Sequence, residues 1–99
     1  MVNEKVQLTF KQAEGYVIPL GAINLVMVIT DVGMVGCGAF DVDALDGFGY
    51  PAARVKSTTG SGIASIDDLL GGEVKDANMA AKELGVQEGI SGREALDRM

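Results

Sequence analysis

Ninety-nine residues with a formal charge of −6 and a pI near 4.4 bound one small domain, and eight scattered Lys and Arg against fourteen Asp and Glu exclude general binding to nucleic-acid backbones, which needs clustered positive charge. The chain has no histidine, which removes Ser-His-Asp and Cys-His catalysis and most zinc and iron ligand sets. Its single cysteine can form no internal disulfide, in keeping with a reducing cytoplasm.

Lys5 to Lys11 alternates, with Val6, Leu8 and Phe10 on one side and Gln7 and Thr9 on the other, and is expected to be a strand with one wet face. Ala13-Glu14-Gly15 is expected to turn the chain, Gly15 supplying a positive φ. Tyr16 to Leu20 reads as the second strand, at an edge or bulge because Pro19 has no N–H to donate. Gly21 to Asn24 turns the chain again, and Leu25 to Ile29 has no polar alternation, so both its faces should be covered. After a tight turn at Asp31-Val32-Gly33, Met34 to Gly38 reads as a fourth strand. The apolar run from Tyr16 to Ile29 is broken by Pro19, Gly21 and Asn24 and falls short of the ~18 to 20 residues that span a bilayer. No apolar signal core follows Met1 to Lys5, so the expected location is the cytoplasm, away from membranes.

Asp41 can cap a short helix to about Asp46, and Ala52 to Lys56 reads as a fifth strand. Ser57 to Gly62, STTGSG, has loop composition. Ser65 and Asp68 make a capping box for a helix that stops at Gly71-Gly72. Val74, Ala77, Ala80, Ala81 and Leu84 lie at helical spacing, predicting a helix over Val74 to Leu84 that ends at Gly85. Ser91 and Glu94 form a second capping box, opening a last helix to about Arg98. The expected fold is a single α+β domain over residues 1–99. A four-stranded antiparallel meander and one further strand would be packed by short C-terminal helices, with a β half in residues 1–40 and a mostly helical half in 41–99.

Four segments taken together resemble a known family: GCGAFDVD (Gly36 to Asp43), the pair Ala53-Arg54, SIDDLL (Ser65 to Leu70) and GISGREALDRM (Gly89 to Met99). They look like the YunC-like family, domain of unknown function 1805, in one collinear stretch from about Tyr16 onward. The resemblance implies an N-terminal β region used for tetramerisation and brings no established activity.

Candidate sites are few. Cys37, between Gly36 and Gly38 at a strand end, is either a small buried hydrophobe or a thiol near backbone N–H groups with Arg54 or Lys56 as the nearest cations. Gly36-Cys37-Gly38 lacks the third glycine of a dinucleotide fingerprint. Asp41, Asp43 and Asp46 miss the EF-hand spacing, since Gly47 is displaced by one and Ala52 stands where the bidentate acid belongs. No metal or cofactor is therefore expected. Ser91, Gly92 and Arg93 open a helix that could take an anion, with Gly92 leaving the backbone bare, and so could Thr58 to Ser65. In either case a capping box can satisfy the same N–H groups. The leading expectation is a small cytosolic homo-oligomer, a structural or ligand-sensing module associating through its β half as a dimer or tetramer. The alternative is an enzyme or redox-responsive protein using Cys37, with Arg54 and Arg93 near an anionic small molecule.

Overall fold

Strands β1 (Val2–Gln7), β2 (Gln12–Pro19), β3 (Asn24–Ile29), β4 (Met34–Gly36), β5 (Ala52–Lys56) and β6 (Glu73–Ala77) stand side by side in chain order in a computed structural model covering residues 1–99. The first four pair antiparallel, as short turns between strands require. β4 and β5 are parallel, and β6 returns antiparallel with a register irregularity at Arg54/Val55. Helix α1 (Val42–Asp46) lies in the β4–β5 crossover, and α2 (Ile66–Leu70), α3 (Met79–Glu83) and α4 (Gly92–Asp97) follow. The class is α+β, with two strands beyond the meander where one was expected. The second half of the chain thus alternates helix and strand and is not mostly helical.

Period-two geometry sorts the sheet residues onto two faces. On the inner face Val26, Val28, Val35, Ala53, Val55 and Val74 pack with Ile66 and Leu69 of α2, Ala81 of α3 and Ala95 and Leu96 of α4. On the outer face Met34 and Ala52 pack under Val42 of α1, with Met27, Ile29, Phe40, Leu45 and Tyr50 around them. Helices therefore lie on both faces. The crossover between parallel β4 and β5 carries α1 to the side opposite α2, α3 and α4, but α1 spans five residues and shelters only the β4–β5 end.

Three local readings are corrected. The first hairpin turns at Leu8 to Lys11, where the Leu8 N–H donates to the Lys11 carbonyl at 2.8 Å, and not at Gly15. Gly15 sits inside β2 opposite Glu4 and Val28. A Cβ there would come within 2.5 Å of Ile66 Cδ1, so a bare backbone lets α2 settle on the strand without displacing that side chain. Phe10, expected on the buried side of a strand, lies in the turn and is 84% exposed. At its other end the meander also stops early, β4 closing at Gly36 instead of Gly38.

Third, Val74 to Ala77 is strand, not helix. Val74 and Ala77 bury equally well at helical spacing or on a bulged strand, and tertiary partners decide: β5 lies on one side, while on the other the Val74 N–H donates to the Ile90 carbonyl and the Gly89 N–H to the Val74 carbonyl. Asn78 then starts α3 as its cap, accepting from the Ala81 N–H at 2.9 Å.

The hairpin turn is held by the far end of the chain. Asp97 accepts from the Thr9 N–H and hydroxyl, both at 2.9 Å. Lys11 Nζ donates to Asp31 and to the Met99 carbonyl, each at 2.7 Å. The Lys11 ammonium beside it keeps the Asp31 carboxyl below its ordinary range.

Candidate functional site

The GCGAFDVD stretch forms the corner from β4 to α1, and every residue with a visible role there serves the turn. Gly36 carries no side chain because the ring of Phe40 folds back over it, onto the outer face. Cys37 is buried and free, and its N–H donates to the Val26 carbonyl at 3.0 Å, extending the ladder one residue past β4. At Gly38 the chain leaves the sheet. Its carbonyl accepts from Arg54 Nη1 at 3.2 Å, while Arg54 Nε and Nη2 bind Asp76 Oδ2 at 2.6 and 2.5 Å. Asp41 accepts from the Ala44 N–H at 3.0 Å as the helix cap, and Asp46 accepts from the Ala80 N–H at 3.0 Å, joining α1 to α3.

Asn78, which the sequence reading passed over except as part of a helix, is the most connected side chain in this region. Its oxygen accepts from the Ala52 and Ala81 N–H groups at 3.2 and 2.9 Å, and its amide donates to the Val42 and Tyr50 carbonyls at 3.0 and 2.8 Å. One buried amide thus ties the outer layer to β5 and α3. Burial also pushes the Tyr50 phenol above its ordinary range.

Two cavities flank the corner. One, of 250 Å³, is bounded by Arg54 and by Asp41, Asp43 and Asp76. Its only cation already binds Asp76 and the Gly38 carbonyl, so the space is acidic and offers little to an anion. The other, of 370 Å³, opens beyond the end of β4, with Cys37 and Gly38 beside Lys56 and Lys75. Of the two cations named as neighbours of Cys37, Lys56 shares its cavity and Arg54 lies in the other.

The last helix start is differently placed. Ser91 and Glu94 form the reciprocal capping box, and the Gly92 N–H donates to the Gly72 carbonyl at 3.0 Å. A Cβ on Gly92 would collide with the Leu69 carbonyl. Its bareness therefore serves the contact with α2, not an open face for a ligand. Arg93 Nη1 donates to the Gln7 carbonyl at 3.1 Å. No cavity is lined by two of Cys37, Arg54 and Arg93. Before α2, Asp68 accepts from the Ser65 N–H at 3.1 Å and Ser65 from the Asp68 N–H at 3.1 Å, so that helix start too is closed by its own box.

The chain is 36% identical over 86 residues to the uncharacterized protein YunC of Bacillus subtilis (strain 168), covering 83% of this chain and 80% of that one. Its fold matches a protein of unknown function, TA1206 from Thermoplasma acidophilum, with a TM-score of 0.86 over 98% of this chain and 90% of the other at 23% identity. Residues 36–99 match a family of their own, from the Gly36 that Phe40 covers to the C-terminal Met99, and the chain belongs to that family, the Domain of unknown function (DUF1805).

Proposed function

We propose that the chain acts as a non-catalytic subunit of a small homo-oligomer, a dimer or tetramer that associates through the outer face of β2 and β3. The observation that carries this reading is the row Tyr16, Ile18, Leu25, Met27 and Ile29. The register places these residues on one face as the pairs Tyr16–Met27 and Ile18–Leu25, and α1 is too short to cover them. All five are only half-buried within one chain, and the adjoining turn adds Leu20 and Ile23, 55% and 65% exposed. Contiguous apolar surface of several hundred Å² marks interaction sites on soluble proteins. A stable contact removes about 800 Å² per partner, and closed symmetry favours a self-complementary patch. Asn3, Lys5 and Glu14 form a polar rim beside the row, Asn3 Nδ2 donating to Glu14 at 3.1 Å. The free thiol fits a cytoplasmic setting for such an assembly. Sedimentation at micromolar concentration tests the reading: it expects no species at 10.3 kDa, and a folded, monodisperse monomer refutes it.

The enzyme or redox alternative has less to support it, because Arg54 is held by Asp76 and Arg93 by the Gln7 carbonyl.

A further inference from the structure

The cavity beyond β4 owes its existence to strand length. β4 ends at Gly36 and the chain leaves the sheet at Gly38, whereas β3 begins as far back as Asn24 and β5 runs on to Lys56. Two longer strands therefore flank a gap beyond the C-terminal end of a strand that is parallel to one of them. Sheets with parallel strands receive ligands at such places. Cys37 forms part of the lining, and a Cβ built on Gly38 would meet nothing within 4 Å, so this edge of the gap is open space. Ile23, Val55 and Ile63 supply apolar wall.

Charge singles this gap out. In a chain of net charge −6 its lining contains no carboxylate and two ammonium groups, Lys56 and Lys75, with Asn24 and Ser57 as further polar groups. The cavity beside Arg54 has three aspartates, and the one after α3 sets Glu88 against Lys82. The ion pairs of the protein engage Lys5, Lys11, Arg54 and Lys56, and Lys75 belongs to none of them. The Lys56–Glu73 pair, at 3.3 Å with side chains 58% and 42% exposed, is partly solvated, and pairs of that kind contribute little.

We infer that this crevice binds a small anion with a short apolar body, a carboxylate or phosphate ester, its charge between Lys56 and Lys75 and its body against Ile23, Ile63 and the Gly38–Cys37 backbone. The volume of 370 Å³ falls in the ~300 to 1,000 Å³ range of small-molecule sites. Its wall residue Ile23 also borders the apolar row proposed for self-association, so binding is tested with that assembly disrupted as well as intact.

The test titrates the folded protein with phenyl phosphate and with phenylacetate, using benzylamine as a cation of similar size, and follows backbone amide resonances and Cys37 alkylation by iodoacetamide. At least one anion should move the Gly38, Lys56, Ser57 and Lys75 amides saturably and slow alkylation, and the better of the two assigns the class. Combining Lys56→Gln with Lys75→Gln should weaken binding at least about tenfold, a difference of about 1.4 kcal/mol, with dispersed resonances retained. Lys82→Gln should leave binding unchanged. Equal response to benzylamine, no saturable response to either anion below about 10 mM, or wild-type affinity in the double lysine variant would overturn the assignment. Repeating the titration on Met27→Asp separates this site from the assembly reading: the crevice should still bind if the protein has become a monomer.

Discussion

The two faces of the sheet use similar residues and reach different ends. The inner face is closed by three helices, and its central residues Val26, Val28 and Val35 are wholly out of solvent. The outer face is equally apolar along β3 but has only α1, so burial stops at β4 and Met27 and Ile29 remain half-open. Apolar character alone therefore does not decide what is core. The length and placement of the covering helix decide it, and what it leaves uncovered is surface available to a partner.

Neighbouring residues on β3 give the largest test of this contrast. Val28→Asp would bury a charge with no partner and should unfold the domain, costing at least about 4 kcal/mol, seen as loss of the cooperative thermal transition. Met27→Asp should keep the fold and lower the sedimenting mass. If both variants unfold, the outer row belongs to the core of one chain.

The next test removes the link between the layers. Asn78→Ala strands the Ala52 N–H and the Val42 and Tyr50 carbonyls, and should cost roughly 2 to 4 kcal/mol in denaturant midpoint experiments. A cost under about 0.5 kcal/mol would mean that the two layers are held without it.

A smaller effect separates the two glycines of the corner. Gly36→Ala pushes into the Phe40 ring and should cost about 1 to 3 kcal/mol. Gly38→Ala meets open space and should change stability by less than about 0.5 kcal/mol, so equal effects would break the distinction between the covered and open sides of the corner.

The smallest is a pH effect at the polar rim. Hydrogen bonds from Lys5, and then from Asn3, lower the Glu14 carboxyl below its usual range, and Lys11 does the same for Asp31. Carboxyls lowered in the folded state stabilise it above their unfolded values near about 4, and that contribution disappears as pH falls through the folded values. Asp31 is exposed and Glu14 partly so, so the decline of Tm below about pH 4 should shrink only slightly in Glu14→Gln. An unchanged acid profile would remove Glu14 from the account.

What could be read from the sequence was what side chains do to their own backbone. Ser65 with Asp68, Ser91 with Glu94, and Asp41 before α1 announced three helix starts, because a cap and its target N–H lie within three residues. β3 was legible to within a residue, since an unbroken apolar run has few other uses, and β5 to its ends. Val74 to Ala77 was not, because the partners that make it a strand, Ala53 to Lys56 and Ile90, are distant in sequence. Gly15 and Gly92 look like turn or ligand residues until Ile66 and the Leu69 carbonyl are placed against them. At the candidate site Cys37 was legible as a residue to watch. Lys75 was missed, having been assigned to a helix; it lies at the irregularity of the β5–β6 pairing and lines the same cavity as Lys56.

The bonds from Asp97 and Met99 to the turn at Leu8–Lys11 have a consequence for the order of folding. The contacts Thr9–Asp97 and Lys11–Met99 each span 88 residues, so the first hairpin is finished by a segment synthesised long after it. Closure cost rises only with the logarithm of the loop, but it comes before the contacts that repay it. On the ribosome, β1 and β2 must wait with their apolar side chains unprotected until α2, and for the hairpin turn α4, emerge. The solvent-facing Asn3, Glu4, Lys5 and Gln7 give this waiting edge strand the polar character that discourages pairing with other nascent chains.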